Sequence, residues 1–186
     1  MPLSAASVYP RTDQPLPTWV AVGGSPESVV RAARQKMMLM LAIIGGGPVR
    51  FKPFVDLFRQ ANEQLGQPRN SVGAHVHGFV AKTDVKAADR MYPHWHRSRM
   101  LVGRERGWPA PTPEQFYNEI PHGALHLGSP ETVAQKSART IRELGLDRLV
   151  FKYSNGTLPH EYAIESIRLT GEKVIPMVRE LLAQGE

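Results

Sequence analysis

The sequence predicts an α/β fold of parallel βα units, enough for half of a TIM-type (β/α)8 barrel. Short runs of β formers alternate about four times with amphipathic stretches, the pattern of parallel strands covered by helices. Glycines close the first two runs, and Ser-Pro-Glu opens the helices after the first and the fourth. The length of 186 residues suits a single domain over 1–186 and falls short of the roughly 250 residues of an eight-unit barrel. Four parallel strands leave two unpaired edges. A second copy, a longer protein of which this is one half, and an open four- or five-stranded sheet all remain consistent with that.

Residues 1–17, with Pro10, Pro15 and Pro17, read as an N-terminal loop. Thr18 to Val22 is a strand bounded by Pro17 and by Gly23-Gly24, and the helix that Ser25 caps runs to about Gln35. Met37 to Ile44 is an unbroken apolar run ended by three glycines, a second buried strand. From Pro48, Phe51, Phe54, Phe58, Ala61 and Leu65 recur at helical spacing, and Gly66 stops the helix. Ser71 to Val80 is a third strand. Asp84 to about Val102 is a helix with Ala88, Met91, Trp95 and Val102 on one face. The turn-rich stretch from Gly103 to Pro113 opens an excursion over 103–123. Ala124 to Leu127 is extended, Ser129 caps a helix to about Leu144, and Leu149 to Tyr153 is a strand. Ile164, Ile167, Val174, Val178 and Leu181 form a final helical stripe, with a kink predicted at Pro176.

Composition removes several function classes. Hydrophobic residues are 41% and charged residues 22%, with 16 Gly and 16 Pro, which excludes wholesale disorder. The longest apolar run, Met37 to Ile44, is far below the about 20 residues of a membrane span, and no secretory signal pattern opens the chain. A cytoplasmic protein without membrane association is expected. The absence of cysteine excludes disulfides, thiolate metal sites and cysteine nucleophiles. The net charge of +6 permits an anionic partner. The basic cluster of His94, His96, Arg97, Arg99, Arg104 and Arg106 spreads around a helix, which argues against nucleic acid and membrane surfaces.

Gly23-Gly24-Ser25 is the best anion site in the sequence. Glycines leave room for a phosphate, and the helix dipole and the Ser25 hydroxyl meet its charge; an ordinary helix cap is the competing reading. Gly24 to Val29 is echoed by Gly128 to Val133, Gly-Ser-Pro-Glu-Ser/Thr-Val in both places. Gly45-Gly46-Gly47 lacks the Gly-Lys-Ser/Thr of a nucleotide-triphosphate loop. His75 and His77 lie two apart on a strand and so face one way, as a metal pair would or as two histidines lining a pocket. No aspartate falls at a strand end to complete a metal site, so the pocket reading is preferred and no metal is expected; a metal-dependent hydrolase is the weakest reading. Tyr153 and His160 follow the last strand, where catalytic groups of parallel barrels gather. A packed aromatic and a first-turn helix residue are the competing readings. No nucleophile, base and acid join into a triad.

Pro17 to Ser28, Leu41 to Gly46, Arg106-Gly107-Trp108, Gly128 to Val133 and Gly156 to Glu161 together, in this order, resemble the C-terminal half of luciferase-like flavin-dependent monooxygenases. The resemblance implies an eight-stranded barrel binding flavin mononucleotide, or a deazaflavin in sister groups, at its C-terminal mouth. There, reduced flavin activates oxygen to oxidise a small organic substrate. This chain would supply strands five to eight, and strands one to four have no counterpart before Met1. Gly23, Gly24 and Ser25 match the turn beside the flavin phosphate, and Ile44, Gly45 and Gly46 the neighbouring turn. Gly156 to His160 match a pocket-facing loop, with His160 the one catalytic candidate and no chemical step assigned to it. The implied partners are a homodimer mate or a missing N-terminal half, and a flavin reductase linking reduced nicotinamide to the flavin. Half a mouth puts turnover by this chain alone in doubt, and a non-catalytic flavin-binding or structural half-barrel that dimerises is the alternative.

Overall fold

The computed structural model describes residues 9, 11–14 and 16–184. Residues 9, 11–14, 16 and 17 of the expected N-terminal loop carry no helix or strand, and the rest of that loop lies outside the described residues. Five parallel strands form one sheet: β1 (Trp19–Val22), β2 (Met38–Ile43), β3 (Val72–Val80), β4 (Leu125–Gly128) and β5 (Arg148–Lys152). Between them run α1 (Pro26–Arg34), α2 (Lys52–Gln64), α3 (Asp84–Arg106), α4 (Pro113–Glu119) and α5 (Pro130–Leu144), and α6 (His160–Leu169) and α7 (Ile175–Ala183) follow. The predicted α/β class and the strand positions agree with this architecture. No helix among the described residues is long and apolar enough to cross a membrane.

β3 organises the sheet. His77 is in register with Leu125 of β4 and also with Lys152 of β5, so these two strands lie on opposite edges of β3. β2 pairs with residues 72–76 of β3 on the edge that β4 continues from residue 77. The four-strand arc is therefore β1-β2-β3-β5, and the extended segment at Leu125 prolongs the line of β2 instead of adding a place to the arc. Among the described residues the outer edges of β1 and β5 pair with no strand.

The two faces of the arc differ. Leu39, Leu41, Ile43, Val72, Ala74 and Val76 are buried against Val29, Ala32 and Ala33 of α1 and Val55 and Phe58 of α2, the alternation of a sheet covered by helices on one side. On the other face Trp19, Met38, Met40 and Ala42 are only half-buried. A Cβ on Gly73 would come within 3.0 Å of both Met40 Cε and the Trp19 ring, so both side chains lie over that glycine. The Arg148 guanidinium stacks on Trp19 at 5.0 Å.

Two expectations change. The stretch 103–123 holds the last turn of α3, closed by Gly107 in a left-handed conformation (φ 67°), and the helix α4. The Thr112 and Gln115 side chains cap α4 reciprocally, and Phe116 holds it against Tyr92 and Trp95 of α3. The last stripe also divides: Val174 is buried, but Ile164 and Ile167 are exposed. A π-helical turn over Thr170–Val174 widens the helix before Pro176. It rotates the face of α7 away from that of α6 and absorbs the break expected at the proline.

Candidate functional site

α3 crosses the C-terminal end of β3, packing Met91 and Trp95 with Phe79, on the face that α1 and α2 leave free. The loop after β5 is fastened to it. His94 Nδ1 and Thr157 Oγ1 are 2.8 Å apart, the buried Asn155 amide approaches Met91 Sδ, and Gly156 (φ 50°) has no room for a Cβ beside Ser98 Oγ. From the other side, Arg99 Nη2 donates to Ile44 O at 3.2 Å. Glu119 of α4 accepts from Gly46 N–H at 3.0 Å and from Ala124 N–H at 2.7 Å, so the glycine turn after β2 is held in place by a carboxylate.

These elements enclose a cavity of about 450 Å³ at the strand ends, within the size range of small-molecule sites. Its floor is His75 and His77 of β3 and Lys152 of β5, and Arg99, Trp95 and Trp108 line its walls. His77 sits beside Lys152 in register. Burial, and then the positive charges of Lys152, Arg99 and His75, push the His77 imidazole down to about 4, against a weaker upward pull from Glu119. Burial and Lys152 lower His75 as well. Both rings are neutral at pH 7. His75 and His77 do share a face, and among the described residues no cluster of His, Asp and Glu could hold a metal ion.

Ile44 and Gly156 line this cavity; Gly45, Gly46, Tyr153 and His160 do not. His160 is exposed at the first position of α6. Lys152 and Asn155 carry no signal of their own in the sequence, and Arg99 stands there only as one member of a basic cluster. Alternation within β5 could have found Lys152, because Leu149 and Phe151 pack toward the helices and leave Lys152 on the face of His75 and His77.

Gly23, Gly24 and Ser25 form a separate feature at the end of β1. A Cβ on either glycine would meet nothing within 4 Å, and Gly24 has φ 147°, a conformation that favours glycine. Ser25 Oγ accepts from Ser28 N–H and donates to Glu27 Oε2 at 2.8 Å. A hydrogen bond from its own backbone, and then the Ser25 hydroxyl, hold the Glu27 carboxyl below the usual range. The echo of this turn behaves differently: at Gly128-Ser129 the Ser129 N–H is taken by Asp84 Oδ1 at 2.6 Å. No group among the described residues accepts the Ser25 N–H. The residues present therefore fit a phosphate, with open glycines, a free N–H, a helix N-terminus and a hydroxyl that Glu27 can release.

A family model described as luciferase-like monooxygenase matches residues 1–148. No curated protein is significantly similar to the chain. Among solved structures, the monooxygenase RslO1 from Streptomyces bottropensis is similar at a TM-score of 0.72 and 22% identity, over 90% of this chain and 50% of that one. The oxygenating constituent of 3,6-diketocamphane monooxygenase from Pseudomonas putida, solved with FMN, has a TM-score of 0.63 and 17% identity over 86% and 48%. The coenzyme F420 dependent tetrahydromethanopterin reductase from Methanopyrus kandleri has 0.54 and 20% over 87% and 50%. At these identities the likeness is one of fold, and the chain spans about half the length of each.

Proposed function

Because the chain belongs to the luciferase-like monooxygenase family, we propose that it is the cofactor-holding part of a flavin- or deazaflavin-dependent oxidoreductase acting on a small organic molecule. The observation that carries this reading is the Ser25 N–H, which no group among the described residues accepts, set against the Ser129 N–H, which Asp84 accepts. Gly23, Gly24 and Ser25 would hold the phosphate, and Ile44, Gly45 and Gly46 would border the same ligand. When bound, reduced flavin supplies the electrons and the oxygen activation for such an oxidation. The protein's own contribution is positional: α3 and the loop after β5 wall off the strand ends, and Glu119 keeps the Gly46 turn from moving. His75 and His77, neutral at pH 7, can each offer one ring nitrogen as donor or acceptor to a substrate.

The proposed assembly adds a flavin reductase, fed by reduced nicotinamide, and either a second copy or a complementary half. A second reading, a non-catalytic half-barrel that dimerises, is favoured by the half-uncovered face of Trp19, Met38 and Met40 and by the outer edges of β1 and β5, which pair with no strand among the described residues.

Fluorescence titration of the chain with FMN, with light scattering on the same sample, tests both. Saturable binding supports the flavin reading. No binding by a dimer leaves the structural reading, and no binding by a monomer removes both.

A further inference from the structure

The cavity at the strand ends is lined by His75, His77, Arg99, Arg106 and Lys152 and by no carboxylate. Its charged groups, Lys152, Arg99 and Arg106, form no ion pair among the described residues. Lys152 makes no hydrogen bond or ion pair among the described residues, nor do His75 and His77, and Arg106 meets only the Trp108 ring, at 5.2 Å. Glu119, the nearest carboxylate in electrostatic terms, is committed to the Gly46 and Ala124 N–H groups. Other lining residues are the opposite in character: Ile44, Leu101 and Trp108 are large apolar side chains left 41 to 56% exposed. Scattered apolar residues on a surface need no explanation, but three of them lining one concavity together with Lys152 and Arg99 make a two-part surface.

We propose that this cavity selects an organic anion, a carboxylate-bearing planar molecule whose charged head meets Lys152 and Arg99 and whose apolar body lies between Trp95 and Trp108. The inference deepens the reading above, and rests on it for the reaction the bound anion undergoes; binding itself rests on the cavity. Lys152 and Arg99 reach the site from β5 and α3, so an anion there is met by groups of both elements. A neutral isostere would leave Lys152 and Arg99 without the carboxylate partner that they lack among the described residues.

The test uses 1-naphthoate and its uncharged counterpart 1-naphthamide, followed by calorimetry and by the imidazole NMR signals of His77. The expected result is saturable naphthoate binding at least about tenfold tighter than naphthamide, with the His77 titration moved up by about one pH unit. Lys152→Gln should abolish the discrimination and Lys152→Arg should restore it; both change an exposed side chain, so the fold persists. Equal affinity for the two probes, or full discrimination in Lys152→Gln, overturns the proposal. Saturating FMN should leave naphthoate binding intact, and competition between them would overturn the proposal by making the floor the cofactor's own. Binding of FMN without naphthoate sinks the anion site and keeps the flavin reading; naphthoate without FMN does the reverse.

Discussion

Asp84 places its carboxylate on the backbone N–H of Ser129 at 2.6 Å and on the Thr132 hydroxyl at 3.0 Å. The first residue of α3 thus serves as the anion at the N-terminus of α5. Five of six residues recur at Gly24 and Gly128, with Ser28 answered by Thr132, and the chain itself demonstrates in one copy what the turn can bind. Removing the carboxylate frees the Ser129 N–H to water at an exposed site. Asp84→Ala should therefore lower stability by only about 1 kcal/mol, read as the midpoint of urea unfolding, and a loss several times larger would mean that Asp84 supports more than this turn.

In the other copy the competitor is Glu27. Its carboxylate accepts from Ser25 and from its own backbone, so a phosphate arriving at Gly24-Ser25 meets a like charge on the same donors. Glu27→Gln is expected to tighten FMN by roughly threefold at low salt and by less at high salt, while riboflavin, which lacks the phosphate, is unaffected. An equal gain for both ligands would place the phosphate elsewhere.

Lys136 is buried on α5 and donates from Nζ to three backbone carbonyls: Glu119 at 3.2 Å, Leu125 at 2.6 Å, and Ile120. These carbonyls belong to the end of α4 and the start of β4, the segment that carries Glu119 to the Gly46 turn. Lys136→Met keeps the stem and strands the acceptors, with an expected cost of about 3 kcal/mol. Thermal unfolding measures it, and a variant as stable as the parent would show that water satisfies these groups.

Local signals explain why so much of the fold was legible. Ser25 and Ser129 do cap their helices, glycines do end the early strands, and apolar runs do become β2 and β3. α4 escaped because Pro109, Pro111 and Pro113 read as turns, and what sustains seven helical residues is Phe116 lodged against Tyr92 and Trp95, a contact across more than twenty residues of chain. Val102 was expected on the buried face of α3 and is 38% exposed. The helix there has passed the last strand and has only the cavity opening beneath it. The His75 and His77 pair was visible from its spacing of two, but Arg99 was not, since one arginine among several on α3 is chosen only by where that helix crosses β3.

The acid response of the fold follows from His126. Its ring is fully buried on β4, and burial, and then Lys136, push its pKa down to about 3. The neutral ring is well placed, with Nδ1–H donating to Ala124 O at 3.4 Å and the Thr140 hydroxyl donating to Nε2 at 3.3 Å. In the unfolded chain the same ring titrates near 6.5. Because the folded value is depressed, the unfolded state binds the extra proton between these limits. Stability is then complete above about pH 6.5 and falls as pH drops toward 3, by about 1.4 kcal/mol per pH unit for such a histidine. His77, lowered to about 4, adds a similar slope over a narrower window. Between pH 6 and 4.5, before most carboxylates titrate, His126→Gln should remove about half of the slope of unfolding free energy against pH, the rest being that of His77. An unchanged slope would mean that His126 accepts its proton in the folded state.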